Sequence, residues 1–356
     1  MRLPAHGANP RKLYEYCNIP LPERYIDFSV NTNPYMLPPS LWPSQAEFCQ
    51  WAMEYPDPEA RQLAELLAET EGVSPAKLLI ANGASECIYL LAKLFANKRA
   101  GILEPTFSEY RRACQAHGCN IVLLVATEER NWKYEQQELM KLIEEVDVLF
   151  LCHPNNPTGT VMKEDELYAL LAAAEEARTF TVIDEAFYPF WFGGFTAMQW
   201  MNDFSRLIVL RSLTKIHHLA GARIGYMAAN EAVIEKVKAL QPPWSVSRIA
   251  QQLALRFLPL EEFAAQTKQM IAQERERITG ILRAYGYSVS SSVANFYLLR
   301  RPGCPTEELF FSLLKEGIVP RHTVNFPGLD GRYLRFAVKT KEENDELLHV
   351  LKRWGT

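Results

Sequence analysis

The strongest constraint on this chain is an alternation between residues 78 and 210. Short apolar runs occur at Leu78–Ala81, Ala100–Leu103, Ile121–Val125, Val146–Cys152, Phe180–Asp184 and Leu207–Leu210. Between them lie stretches such as Ser85–Ala96 and Lys163–Ala177, whose apolar residues recur at helical spacing. A run that is apolar throughout suits a strand covered on both faces, and an intervening helix supplies the crossover to a parallel neighbour. The pattern predicts an α/β domain with a mostly parallel central sheet.

The flanks differ in character. The first residues are rich in proline, asparagine and aromatics and read as an extended arm with short helices. Pro56-Asp57-Pro58 then opens an amphipathic helix with Leu63, Leu66 and Leu67 on one face. A helix begins at Glu231, with Asn230 as its N-cap, and Gln241-Pro242-Pro243 stops it. A long helical region covers 246–285. Strands are expected at Tyr287–Ser291, Asn295–Leu299 and Tyr333–Val338, and helices at Pro305–Lys315 and Lys341–Arg353. With 356 residues the chain exceeds one ordinary core. The expected layout is an arm (1–40) joining a small α+β domain (243–356), with a large domain (41–242) between.

Several functions are disfavoured at this level. A net charge of −4 gives no general basic footprint for nucleic acid. No apolar run approaches the roughly 20 residues that cross a bilayer, and the N-terminus carries Pro4, His6 and Asn9 rather than an apolar signal core. A cytoplasmic protein with no membrane partner is expected. The seven cysteines (17, 49, 87, 114, 119, 152 and 304) are scattered and include no C-x-x-C, so no disulfide framework is expected. Cys114, Cys119 and His117 lack a second ligand pair, so no metal is expected.

The informative motifs fall where predicted strands end, which is where open parallel sheets bind ligands. Asn82-Gly83-Ala84-Ser85-Glu86 follows the first strand and opens a helix. Its free N–H groups suit an anion, although a plain helix start fits the same residues. His153-Pro154-Asn155-Asn156-Pro157-Thr158-Gly159 forms a rigid turn presenting amide side chains. Asp184 ends an apolar run, where a carboxylate must be paired, cap a helix, or hold a ring nitrogen protonated. Ser212 and Lys215 follow the sixth strand, with Arg223 beyond. A buried lysine beside an arginine has a lowered pKa and suits Schiff-base chemistry with an aldehyde cofactor, whose phosphate Ser212 and Arg223 would grip. A solvated surface lysine is the alternative for the residue taken alone.

Taken in order, Asn156, Asp184, Lys215 and Arg223 resemble the fold-type I pyridoxal-phosphate enzymes, the aspartate aminotransferase superfamily. The resemblance covers nearly the whole chain. It implies pyridoxal 5'-phosphate as cofactor and Lys215 as the catalytic residue that carries it. Asn156 would meet the cofactor's phenolic oxygen and Asp184 its ring nitrogen. Ala84, Ser85, Ser212 and Arg223 would hold the phosphate, and Tyr110 would lie over the ring face. Tyr55 would reach the phosphate in a neighbouring subunit, implying a homodimer with shared sites.

Within the superfamily, threonine-phosphate decarboxylases of cobalamin synthesis and histidinol-phosphate aminotransferases fit best. Ala5-His6-Gly7-Ala8-Asn9, Asp27-Phe28-Ser29-Val30-Asn31-Thr32-Asn33-Pro34, Pro243-Trp244-Ser245-Val246 and Asn325-Phe326-Pro327-Gly328-Leu329-Asp330 resemble the former. That likeness implies a small phosphorylated amino acid as substrate. His6, Gly7, Asn31 and Arg321 would meet its phosphate, and Arg335 its carboxylate. Outside the resemblance, a histidine this near a terminus reads as solvated, and both arginines as surface ion pairs. Three positions depart from the pattern: Ala8 for a second glycine, Phe187 for a tyrosine, and Ser247 for an asparagine. A non-enzymatic descendant, such as the ligand-binding half of a regulator, is a third reading. The intact Lys215 and the lack of an appended helix-turn-helix argue against it.

Overall fold

The computed structural model describes residues 3–4 and 6–354, so that Ala5 of the N-terminal motif and the last two residues of the expected small domain lie outside the described residues. Seven strands form the central sheet: β1 (Leu78–Ala81), β2 (Arg99–Glu104), β3 (Asn120–Val125), β4 (Val148–Cys152), β5 (Phe180–Asp184), β6 (Leu207–Ser212) and β7 (Gly225–Ala229). Their order is β1-β7-β6-β5-β4-β2-β3. The pairs among β2 to β6 are parallel, whereas β7 runs antiparallel to both its neighbours. The alternation in the sequence anticipates six of these strands. It misses β7, which follows β6 without a helix and consists partly of glycine and alanine.

Helices cover both faces. The segments 61–71, 136–145, 164–176 and 248–257 pack on one face, against Leu149, Ile183 and Val209. Those at 84–94, 109–116 and 231–238 pack on the other, against Phe150, Val182 and Ile208. Each fully buried aliphatic side chain of this kind contributes about 1.5–3 kcal/mol relative to exposure. The two-sided cover explains why β1, β2 and β4 to β6 are apolar throughout, while β3, at the sheet edge, is apolar yet half-exposed.

A second antiparallel sheet, β10-β11-β9-β8, is built from β8 (Ser288–Val289), β9 (Phe296–Arg300), β10 (Arg321–His322) and β11 (Leu334–Ala337). Its cluster takes in Leu13, Tyr14, Ile26 and Phe28 from the N-terminal arm. Ile26–Asp27 pairs in parallel with Ile318–Val319, and the Tyr14 hydroxyl donates to the Leu314 carbonyl at 2.7 Å. The expected continuous helix over 246–285 is instead two, Arg248–Phe257 and Glu261–Ala284. Pro259 between them lacks the N–H that continuation needs. The first of the two packs with the large sheet. Ser247 caps that helix, its hydroxyl accepting the Ala250 N–H at 3.2 Å.

Candidate active site

The register of the sheet assembles an anion cradle. Ala81 and Ser212 both lie opposite Gly225. A Cβ at Gly225 would stand 2.7 Å from the Ala84 nitrogen and 2.6 Å from the Arg211 carbonyl, so glycine is what lets the helix Ala84–Leu94 begin this close to β6. No side chain caps that helix start, leaving its N–H groups and its dipole facing the cleft with Ser85 beside them. Arg223, in the left-handed region at φ 60°, lies against Gly83, where a Cβ would meet its Nη2 at 2.8 Å. The Ser212 hydroxyl is bonded to that of Thr214 at 2.7 Å. Thr214 was not singled out from the sequence. Its signal is a second hydroxyl two positions after Ser212, in the turn that follows the strand.

Beside the cradle stand Lys215, Asp184 and Asn156. Asp184 accepts the Tyr110 hydroxyl at 2.7 Å and the Ala186 N–H at 2.9 Å. Burial raises its pKa, opposed by Tyr110, the Ala186 N–H and Lys215. Lys215 is pushed down to about 8, first by burial and then by the Arg223 charge; Asp184 opposes the fall and Arg335 adds to it. The Asn33 N–H holds the Lys215 carbonyl at 3.0 Å, tying the arm to this loop. Tyr110 is fully buried, stacked on Phe150 with ring centroids 5.6 Å apart. Its visible role is to hold Asp184. The half-buried ring that lines the cleft is Phe107, which the sequence reading did not name.

A second chamber opens from the first across Asn156, Phe107, Phe187 and Lys215. Gly7, Asn31, Arg321 and Arg335 line it. The two arginines are not surface ion pairs: Arg321 is 4% and Arg335 7% exposed. They are also direct cross-strand partners in the β10–β11 pair. Arg335 donates to the Asn156 side-chain oxygen at 2.5 Å and to the Ser29 carbonyl at 2.8 Å, while its Nε has no partner. The Asn156 oxygen is thereby committed, and its NH2 is left as the group able to donate elsewhere. Arg321 donates to the His322 carbonyl and the Asn325 side chain, both at 2.7 Å. Burial pushes Arg321 down to about 10 and Arg335 to about 9, with the Arg321 charge also lowering Arg335. The Asn31 side-chain oxygen is buried with no partner.

One expected residue lines the chamber only at its rim, and another lies apart. His6 is exposed at the rim, its Nε2 3.0 Å from Glu109 and 2.8 Å from Arg112. Tyr55 is 84% exposed and packs on Trp244, so one chain alone does not bring it to the cleft. Ala8 adopts φ 66°, the left-handed conformation that explains why glycine would suit this position. Among the described residues no group of three or more His, Cys, Asp or Glu side chains is arranged to hold a metal. Nor is any described helix long and apolar enough to cross a membrane.

A family model for aminotransferase class I and II matches residues 23–351. The threonine-phosphate decarboxylase of Salmonella typhimurium is 31% identical, over 98% of this chain and 96% of that protein. The crystal structure of the histidinol-phosphate aminotransferase from Clostridium acetobutylicum superposes with a TM-score of 0.86, at 31% identity, covering 92% of this chain and 98% of that one. The histidinol-phosphate aminotransferase of Sinorhizobium meliloti in complex with pyridoxal 5'-phosphate shares the fold, with a TM-score of 0.84, 22% identity and coverage of 97% and 94%. Pyridoxal 5'-phosphate is the cofactor, and the cleft fits it. An uncapped helix start, a guanidinium and two hydroxyls suit its phosphate, Asp184 suits its ring nitrogen, and Lys215 its aldehyde.

Proposed function

We propose that this chain, which belongs to the class I and II aminotransferase family, decarboxylates O-phospho-L-threonine to 1-aminopropan-2-yl phosphate in cobalamin biosynthesis. The observation that carries the reading is the Arg321–Arg335 pair. Like charges directly opposite on neighbouring strands repel, and burial deepens that cost. An arrangement of this kind is relieved by a ligand bearing two anionic groups. Phosphothreonine has both a phosphate and a carboxylate on the molecule that reacts; histidinol phosphate offers the phosphate alone, and a transaminase would meet two anionic groups only in its 2-oxoglutarate partner. Transamination of a histidinol-phosphate type is the second reading, favoured by the match to the Clostridium acetobutylicum structure along most of both chains.

In this reading Ala84, Ser85, Ser212, Thr214 and Arg223 hold the cofactor phosphate, Asp184 the ring nitrogen and the Asn156 amide the phenolic oxygen. Bound pyridoxal 5'-phosphate supplies a carbon electrophile for the substrate amine and a conjugated ring that takes up an electron pair from Cα. Arg335 grips the substrate carboxylate, and Arg321, Asn31, Gly7 and His6 grip the phosphate, for which charged donors are the strong ones. Two anchors on one small skeleton restrict rotation at Cα and so decide which of its bonds is broken. Lys215, with its lowered pKa, exchanges a proton near neutral pH and delivers one to Cα in place of the departing CO2. Phe107, Phe187 and Phe326 line the chamber and exclude water. Phe187 carries no hydroxyl, which leaves the phenolic oxygen to Asn156. Tyr55 serves the site of a second copy, in a cytoplasmic homodimer.

Incubation of the holoenzyme with O-phospho-L-threonine tests the reading. Release of CO2 in step with a phosphorylated aminopropanol is expected. Keto acid formation dependent on 2-oxoglutarate, without CO2, would refute it.

A further inference from the structure

We infer that Ser29 is a positioning residue that seats the N-terminal arm and couples it to Arg335, so that the arm acts as a clamp selecting substrates with two anionic groups. The inference rests on the two-anion reading above and adds to it the device that enforces the selection.

Ser29 is 6% exposed and touches both grips. Its hydroxyl donates to the Asp27 carboxylate at 2.6 Å, and the same oxygen accepts the Ser29 N–H at 2.8 Å. With its single proton committed, the hydroxyl can only accept at its remaining positions. It accepts the Ala8 N–H at 3.1 Å, from the arm. The Ser29 carbonyl accepts from Arg335 at 2.8 Å. One residue thus links the arm that bears His6 and Gly7 to the arginine assigned to the carboxylate. Asp27 anchors the linkage, since its strand pairs with Ile318–Val319, just before Arg321.

The arm crosses Ser29 at backbone distance. A Cβ on Gly7 would stand 2.7 Å from the Ser29 hydroxyl oxygen, so a side chain there would unseat the arm. Ala8 holds its left-handed conformation at a steric cost. Against that cost stand the Ala8–Ser29 bond, the bond of 2.9 Å between the Pro4 carbonyl and His322, and the exposed His6–Glu109 contact. The strain at Ala8 offsets part of what these few ties contribute to the seat. A phosphate contacting the arm from within the chamber then shifts the balance toward the seated arm.

The test uses the holoenzyme as wild type, S29A and A8G. Hydrogen exchange at residues 6–9 is followed with and without saturating inorganic phosphate, beside kinetics with O-phospho-L-threonine. Phosphate should slow exchange in the wild type. S29A should abolish that slowing and raise KM roughly tenfold with kcat little changed, the worth of about one buried hydrogen bond. A8G should strengthen the slowing and lower KM by about fivefold, through relief of the left-handed strain. The inference is overturned if arm exchange in S29A responds to phosphate as in the wild type, or if S29A lowers kcat without moving KM. Should S29A not fold, A8G decides alone: arm exchange and KM unchanged from wild type overturn the inference. If O-phospho-L-threonine is not turned over, the substrate reading fails separately, and the exchange data still decide the clamp.

Discussion

The charge state of Lys215 gives a prediction about stability that is independent of turnover. In the unfolded chain this lysine has its ordinary pKa of 10.5, and in the folded protein it is pushed down to about 8. The folded state therefore binds its proton less tightly. Below pH 8 both states are protonated and the folded state carries the whole cost, about 3 kcal/mol at 1.36 kcal/mol per tenfold change in proton affinity. As pH rises from 8 toward 10.5 the folded state sheds the proton first, and the cost fades. From pH 7 to pH 9.5 the cofactor-free enzyme should gain about 2 kcal/mol from this group. Lys215→Met keeps the length of the side chain and removes the charge. The assay is urea unfolding of both cofactor-free proteins at the two pH values. The variant should be the more stable at pH 7, and its advantage should shrink by about 2 kcal/mol at pH 9.5. Other titrating groups cancel in this difference of differences. An advantage that stays constant or widens would refute the assignment of a desolvated, Arg223-facing lysine.

Three further outcomes follow from the geometry. Gly225→Ala places a methyl group 2.7 Å from the Ala84 nitrogen; urea unfolding should show a loss of about 1–3 kcal/mol, and titration with pyridoxal 5'-phosphate a weakened affinity. Arg335→Ala removes the donor to the buried Asn156 oxygen; kcat/KM for O-phospho-L-threonine should fall at least about tenfold, given the roughly 1–3 kcal/mol cost of an unpaired buried acceptor. Tyr55→Ala and Lys215→Ala chains should each be inactive, and co-refolding the two should restore activity if Tyr55 serves a partner's site; a mixture that stays inactive while forming mixed dimers contradicts the shared site.

The central sheet and the cleft at its strand ends are legible because their signals are local. Strands buried on both faces must be apolar along their length, so β1, β2, β4, β5 and β6 stand out, and a parallel sheet places its ligand groups where those runs end. Asp184 ends an apolar run, and Ser212 and Lys215 come shortly after another, which is what brings them to notice. The antiparallel β7 obeys no such rule, having neither an intervening helix nor a distinctive composition. Thr214 and Phe107 were missed for another reason. A threonine beside a lysine and a phenylalanine before a helix are common, and only the cleft shows that both face it. Tyr110 carries the opposite lesson, since its position in a motif marked it correctly for this region but could not reveal that its hydroxyl holds Asp184.

The substrate side was harder because its information is carried by register rather than by runs. Arg321 lies on a two-residue strand, too short to show any period, and its neighbour Arg335 comes from another strand. Nothing in the order of residues reveals that the two arginines lie opposite each other. That pairing explains part of the lowered pKa of Arg335, to which burial and the facing Arg321 both contribute. A buried like-charge pair is unfavourable for folding, and removing the Arg321 charge should stabilise the ligand-free protein, whereas removing Arg335 would also strand the buried Asn156 oxygen. The presence of the pair therefore argues for a role in binding, where a phosphate and a carboxylate turn the repulsion into two attractive contacts. Arg321→Met should accordingly raise the urea midpoint of the ligand-free enzyme while weakening phosphorylated substrates more than unphosphorylated ones. Equal loss on both substrates, or a lowered midpoint, would assign Arg321 to the framework of the 321–326 turn instead of to the phosphate.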